Sequence, residues 1–93
     1  MTDTKKSEQA SPIEVWLTKT NIQVTCRVVH EDETDAVLGV DSLSMRGAQR
    51  EITAWLISRG YTRTGRWQTE ELSDGEPVEC FRQFKPGPNA EPV

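Results

Sequence analysis

The sequence predicts a small α+β domain: a four-stranded, mainly antiparallel sheet with one helix packed across one face, in the chain order β-β-α-β-β. Apolar and polar residues alternate in the segments before residue 41 and after residue 60, as in strands with one buried face. Between residues 45 and 59 the apolar residues instead recur with a helical period. Clusters of turn-forming residues separate the alternating segments, which indicates a hairpin on either side of the helix.

Length and charge limit the classes of protein to which the chain can belong. It has 93 residues and a formal net charge of −4, so we expect one domain with a thin core, in which an enclosed substrate cavity is hard to build. The acidic balance argues against global attraction to nucleic acid or anionic membranes. The only cysteines, Cys26 and Cys80, are too few for a disulfide framework, which favours a reducing, cytoplasmic environment.

Both ends of the chain are expected to lie outside a single folded domain at residues 11–85. Residues 1–10 contain almost no apolar side chains and are expected to form a disordered arm. Residues 86–93 carry three prolines and one glycine, which oppose helix and strand, and are expected to form a disordered tail. The sequence shows no signal-peptide pattern and no apolar run of the roughly 18 residues that a membrane-spanning helix needs.

The first ordered segment has sequence features typical of two different structures, a helix and an extended strand. Residues 11–14, Ser-Pro-Ile-Glu, have the spacing of a helix capping box with proline at the first helical position. Against this, Ile13, Val15 and Leu17 alternate with polar or amphipathic residues, and most of the apolar residues are β-branched. The segment is therefore expected to be extended and to add a strand or a turn to the sheet, with a helix as the alternative.

The first hairpin is predicted from residues 22–40. Its first strand has apolar residues at every second position, which are Ile22, Val24, Cys26 and Val28. Residues 31–35, with four acids in five positions, break this pattern as a turn. The alternation resumes at Ala36, Leu38 and Val40, which predicts the second strand.

A helix is predicted to begin after the potential N-caps of residues 41–44 and to end before Gly60. Its apolar stripe consists of Met45, Ala48, Ile52, Trp55 and Leu56. Because this stripe is roughly 100° wide, it is expected to pack on the sheet.

A second hairpin is predicted after the helix, with its turn in the sequence Ser-Asp-Gly-Glu-Pro at residues 73–77. Phe81 and Phe84 are three positions apart, so only one of them can face the helix. The other is expected on the second sheet face with Val29 and Val37. That face would be covered by Trp16 and its neighbours or by a second copy of the chain.

Residues 44–67 form an arginine-rich segment, with five arginines against one acid. Arg46 and Arg50 are four residues apart and share an exposed helix face beside Ile57, where they could grip two adjacent phosphates. Arg63 and Arg66 have opposite parity in the following strand, so they are not expected to line one groove together. The competing interpretation is an ordinary solvated surface, with arginine stems covering apolar atoms.

Other reactive residues carry no recognisable catalytic pattern. The acidic residues 31–35 lack the ligand spacing of a calcium loop, and His30 is expected to be a surface residue at a strand end. Cys26 and Cys80 would be redox partners only if their Cα atoms lay within about 7 Å, and buried thiols are expected instead. The sequence therefore predicts no cofactor, no metal and no enzyme class.

These features predict a small non-enzymatic protein-interaction or regulatory module, with a protein partner or self-association and no membrane contact. The alternative is a nucleic-acid-binding domain that uses the arginine-rich helix and the following strand. The candidate partner-binding residues are Arg46, Arg50, Ile57, Arg63, Arg66, Trp16 and Phe81.

Overall fold

A computed structural model describes residues 10–71 and 77–93 of the chain. These residues form β1 (Ile13–Lys19), β2 (Val24–His30), β3 (Asp35–Leu38), α1 (Met45–Ser58), β4 (Tyr61–Glu71) and β5 (Pro77–Pro86). The strands make one sheet in the order β3-β2-β1-β5-β4, and every neighbouring pair is antiparallel. The predicted α+β class is confirmed, but the sheet has five strands rather than four.

The additional strand is β1, which lies at the centre of the sheet. Its residues pair with β2 on one side and with β5 on the other. Ile13, Val15 and Leu17 point towards the helix and are fully or almost fully buried. The alternating pattern therefore prevails over the capping-box spacing of residues 11–14, because the central position hydrogen-bonds both edges of the strand and buries its apolar face.

The core lies between α1 and one face of the sheet. The sheet contributes Ile13, Val15, Leu17, Val24, Cys26, Val28, Tyr61, Cys80 and Phe84. The helix contributes Met45, Ala48, Ile52 and Leu56. β1, β2 and β5 thus each bury one face, as the period of two in the sequence predicts, whereas among the described side chains β4 contributes Tyr61 alone and β3 contributes none.

Ile22 was expected in the buried face of the first hairpin, and this expectation is wrong. Its side chain is 78% exposed and precedes β2. Thr20 donates its backbone N–H to the carbonyl of Gln23 at 2.8 Å, which closes a tight turn between β1 and β2. Ile22 lies at the tip of this turn, from which a side chain cannot reach the core.

Helix α1 begins and ends as predicted, but its apolar stripe is narrower. Ser44 is the N-cap and accepts a hydrogen bond from the Gly47 N–H, while Gly60 follows the C-cap with a positive φ of 95°. Trp55, expected in the core, is 36% exposed and lies under the guanidinium of Arg59 at 4.8 Å. It projects roughly 65° from the centre of the buried stripe, so the indole covers the edge of the core.

The predicted second hairpin is confirmed by the antiparallel pairing of β4 with β5, while residues 72–76, which hold most of its expected turn, lie outside the described residues. The pairing shifts between Thr64 and Gln68, where three residues of β4 lie opposite Arg82 alone. Gly65 is within this bulge and has a φ of 66°, a conformation that favours glycine.

Residues 86–93, expected to form a disordered tail, instead lie against the end of α1. Gly87 and Glu91 donate their backbone N–H groups to the carbonyls of Gly60 and Arg59, at 2.8 and 3.0 Å. These carbonyls follow the last turn of the helix and need donors from outside it. The proline content of residues 86–93 does not predict these hydrogen bonds, because the residues between the prolines retain their N–H groups. The expected N-terminal arm, apart from Ala10, lies outside the described residues.

Among the described residues, no helix has both the length and the apolar character that crossing a bilayer requires.

Candidate partner-binding site

The arginine-rich segment lines an open groove between α1 and the hairpin of β4 and β5. The groove encloses about 440 Å³. We call it the arginine groove and define it by Arg46, Arg50, Ile57, Arg63, Trp67 and Arg82. Residues of α1 form its wall, and residues of β4 and β5 form its floor.

The helix wall follows from the angular position of its residues. Met45, Ala48, Ile52 and Leu56 define the direction that α1 turns towards the core. At 100° per residue, Arg46 projects roughly 115° and Ile57 roughly 135° from that direction, on the side nearest β5 and β4. Both side chains are exposed, and Ile57 has an exposed fraction of 45%. The wall therefore combines charge with accessible apolar surface.

The floor follows from the strand register. Arg63 lies opposite the buried Phe84, and Arg82 lies opposite the buried Val15, so both arginines occupy the face of the sheet that the helix covers elsewhere. Trp67 shares this face because the bulge adds an even number of residues to β4. Its ring packs edge-on against Phe84 at 6.3 Å and is half-buried.

Arg82 is held in place by the bulge. Its Nη2 atom donates a hydrogen bond to the carbonyl oxygen of Gly65, and its guanidinium lies 5.8 Å from the ring of Phe84. The Nε atom is buried without a hydrogen-bond partner. Burial lowers the pKa of Arg82, and the positive charge of Arg63 lowers it further. Arg82 is therefore a fixed, partly desolvated cation beside a second cation.

The described carboxylates do not neutralise this groove. Among the side chains that the structure describes, no carboxylate lies at ion-pair distance from Arg46, Arg50 or Arg63. Glu51, the single acid of the arginine-rich segment, accepts backbone hydrogen bonds from Asp41 and Ser42, each at 3.0 Å. The negative charge of Glu51 therefore lies on the other side of α1 and does not neutralise the groove arginines.

Three of the predicted partner-binding residues lie outside the groove. Arg66 lies in the bulge and borders a shallow depression beside Phe81. Trp16 and Phe81 are on the open face of the sheet, where their rings stack at 4.4 Å with an interplanar angle of 20°. The Trp16 Nε1 also donates to Glu14 at 2.8 Å. The predicted set is therefore divided between two faces of the sheet.

Sequence reasoning missed both Arg82 and Trp67 as groove residues. The signal for Arg82 was present, because Cys80, Arg82 and Phe84 share one face of a strand by parity. The segment from residue 44 to 67 excludes Arg82, which comes from β5. Its place beside Arg63 depends on the pairing of β4 with β5.

The two cysteines are not redox partners. They lie on β2 and β5, each opposite Leu17 of the intervening strand β1. Two strand spacings separate them by about 10 Å, which exceeds the distance that a disulfide spans. In the described part of the chain, no cluster of three or more His, Cys, Asp or Glu side chains is arranged to hold a metal ion.

No protein-family model, curated protein or solved structure matches this chain.

Proposed function

We propose that the protein is an interaction module that binds an acidic segment of another protein in its arginine groove. The observation that carries this proposal is the convergence of four arginines on one groove of about 440 Å³. Three of them lack a carboxylate partner among the described residues. Like charges held together repel one another, and a bound anion removes that repulsion.

The groove chemistry favours carboxylates next to apolar side chains. A guanidinium presents a planar fork of donors, which matches the two oxygens of a carboxylate. Arg82 is already oriented by its hydrogen bond to Gly65. Ile57 and Trp67 place exposed apolar surface beside these donors. A protein segment that combines Asp or Glu with apolar residues can satisfy both parts of the surface.

The charge of the rest of the molecule favours a short acidic segment over a nucleic acid. Without the four groove arginines, the formal charge of the chain falls from −4 to −8. An extended phosphate backbone continues beyond the groove and meets this acidic surface, which repels it. A short peptide places its carboxylates in the groove alone.

The test is a titration of the protein into a fluorescein-labelled peptide of mixed Glu and Leu, followed by anisotropy at low salt. We expect saturable binding that weakens as NaCl is added. Replacing Arg46 and Arg50 together by Ala removes two groove charges and should weaken binding by about tenfold or more. The matched control is Arg66→Ala, which removes a nearby arginine outside the groove and should change affinity less than about twofold.

Parallel titrations use labelled single-stranded and duplex oligonucleotides. Tighter binding of either oligonucleotide than of the peptide, with a salt dependence that flattens in the Arg46 and Arg50 double variant, would replace this proposal by nucleic-acid binding. Equal weakening by Arg66→Ala would show general charge attraction and would also overturn it. Circular dichroism of each variant establishes that the fold is retained.

A further inference from the structure

The sheet is wider than its single described helix can cover. Its outer strands, β3 and β4, are about 19 Å apart, whereas a helix is about 10 Å across. On the side of β2 and β3, Leu38 and Val40 pack against the core. On the side of β4, the arginine groove leaves strand residues open beside α1. The strip of sheet left open on this side borders α1, which also contacts β4 and β1.

The length of the strip also suits a helix. Along α1, the groove wall runs from Arg46 to Ile57, a distance of about 16 Å or three helical turns. Layered α+β structures bury a sheet face by laying helices side by side on it. A second helix parallel or antiparallel to α1 would continue that layer.

An extended strand fits this edge less well. β4 is an edge strand, but the register shift between Thr64 and Gln68 interrupts its regular hydrogen-bonding edge. Such bulges oppose the addition of another strand. Adding a strand to the edge would also leave the surface between α1 and β5 open, because a strand extends the sheet sideways.

The chain itself offers no suitable occupant in its helix or its N-terminal segment. Helix α1 of a second copy carries Arg46 and Arg50 and would be repelled by the same residues. Residues 1–10 contain two lysines and two acids with almost no apolar side chains. Residues 31–35 are acidic but contain no apolar side chain, and the acids of residues 70–79 lie partly in β4 and β5, so neither segment of a second copy offers an amphipathic helix. Charge complementarity together with apolar contact therefore favours a segment of a different protein.

We propose that the acidic segment bound in the arginine groove is an amphipathic α-helix of about three turns from another protein, lying beside α1 as the second helix on the sheet. This inference rests on the proposed function above. Carboxylates spaced four residues apart would meet Arg46 and Arg50 on the wall, and others would meet Arg63 and Arg82 on the floor. Apolar residues between the acidic positions would contact Trp67 and Ile57.

The test compares two fluorescein-labelled peptides of identical composition. One is a stapled helix that segregates Glu and Leu to give adjoining acidic and apolar stripes; the other carries the same residues in a scrambled order, without helical segregation. We expect the stapled helix to bind at least about tenfold more tightly. Fluorescence of Trp67 should change on binding, measured in a protein in which Trp16 and Trp55 are replaced by Phe.

A variant tests the position of the helix. Thr53 is half-buried and lines the groove at roughly 95° from the core direction, so Thr53→Trp adds bulk in the space beside α1. This variant should weaken binding of the stapled helix by about tenfold or more. Arg66→Ala serves again as the control and should leave it within about twofold.

Each outcome distinguishes the two proposals. If both peptides bind with equal affinity and the Thr53 variant retains that affinity, an acidic segment binds without forming a helix beside α1, and only the helix inference would be wrong. Tighter binding of an unstapled peptide rich in β-branched residues would indicate strand addition instead. Absence of binding by every acidic peptide at low salt would overturn the proposed function together with this inference.

Discussion

Arg63 and Arg82 form a pair of like charges on the floor of the arginine groove. Arg82 is anchored to the Gly65 carbonyl and partly desolvated, and the charge of Arg63 lowers its pKa further. Arg63 is exposed, so solvent screens part of this repulsion. The pair nevertheless opposes folding when no anion is bound, because unfolding separates the two charges.

We therefore expect Arg63→Gln to stabilise the free protein. Removing one charge should raise the melting temperature by about 1–3 °C at low salt. The increase should shrink as NaCl is added, because salt screens the repulsion in the unmodified protein. Arg66→Gln is the matched control and should have a smaller effect. An unchanged or lower melting temperature for Arg63→Gln would show that the repulsion is not significant.

Cys26 is chemically protected by its position in the core. Burial, together with the negative charge of Glu51, raises its pKa from 9.0 to about 12. Burial also raises the pKa of Cys80, whose Sγ accepts a hydrogen bond from Gln49. Since the thiolate is the reactive form, both cysteines should be inert in the folded protein.

A thiol-reactive chromogenic disulfide at pH 8 provides the measurement. We expect both cysteines to react at least about a hundredfold more slowly in the folded protein than in denaturant. In denaturant both thiols are exposed to the reagent and their pKa values return to the ordinary range. A Cys80→Ser variant isolates Cys26 for the same measurement. Rapid labelling of one thiol in the folded state would contradict the buried arrangement.

At the scale of elements, Glu51 connects α1 to the segment that leads into it. Its carboxylate accepts hydrogen bonds from the backbone of Asp41 first and of Ser42 second, and these hold its pKa below the ordinary value of 4.5. A carboxylate with a lowered folded-state pKa stabilises the protein above the unfolded-state pKa. This contribution is lost as the pH falls through the folded-state pKa.

Replacement of Glu51 by Gln should therefore lower the melting temperature at pH 7, because the carbonyl of Gln accepts these hydrogen bonds without a negative charge. The difference between the two proteins should shrink as the pH falls below 4.5 and through the lowered folded-state pKa of Glu51, because protonation removes the charge that Gln lacks. Melting curves across this pH range provide the comparison. A difference that persists unchanged at low pH would assign the effect to packing rather than to charge.

Gly60 joins the end of α1 to β4 and to the C-terminal segment. Its φ of 95° disfavours any other residue, and a Cβ atom there would lie 2.7 Å from the Cα of Ala90. Gly60→Ala should lower the free energy of unfolding by at least about 1–2 kcal/mol. Gly39→Ala is the control, since a Cβ at Gly39 meets no atom within 4 Å. Urea titrations of both variants measure their free energies of unfolding for this comparison.

Gly60→Ala should also loosen the C-terminal segment. The Gly60 carbonyl accepts the N–H of Gly87, and a displaced Ala90 would weaken the neighbouring hydrogen bond from Glu91 to Arg59. Amide hydrogen exchange at Gly87 and Glu91 should therefore accelerate in the Gly60 variant and remain unchanged in the Gly39 variant. Unchanged exchange in both would mean that the segment is held by its other contacts.

At the scale of the whole molecule, local patterns predict the elements better than their arrangement. The period of residues 45–58 and the Gly at position 60 indicate α1, and alternation indicates β2 and β3. The central place of β1 is not a local property, because it depends on pairing with β5 near the other end of the chain. The position of Ile22 was missed because alternation continues through the turn that removes it from the sheet.

In the candidate site too, local spacing predicts some residues, while others are brought in by long-range strand pairing. The spacing of Arg46, Arg50 and Ile57 predicts that they share one helix face, and all three line the groove. Arg63 and Arg66 have opposite parity in the strand, and of these two only Arg63 lines the groove. Arg82 joins them only through the register of β4 with β5. A site assembled across strands depends on long-range pairing, which a single sequence does not specify through periodicity.

The central position of β1 means that the sheet cannot be completed until the end of the domain has left the ribosome. β1, β2 and β3 emerge first, whereas β5, which pairs with the other edge of β1, emerges last; Thr18 and Glu79 make contact across 61 residues. A truncated chain of residues 1–71 should therefore expose an unpaired central edge and aggregate in light-scattering measurements, while a chain of residues 1–86 retains β5 and should remain dispersed. Until β5 is made, the nascent chain therefore carries an unpaired strand edge that can pair with neighbouring chains.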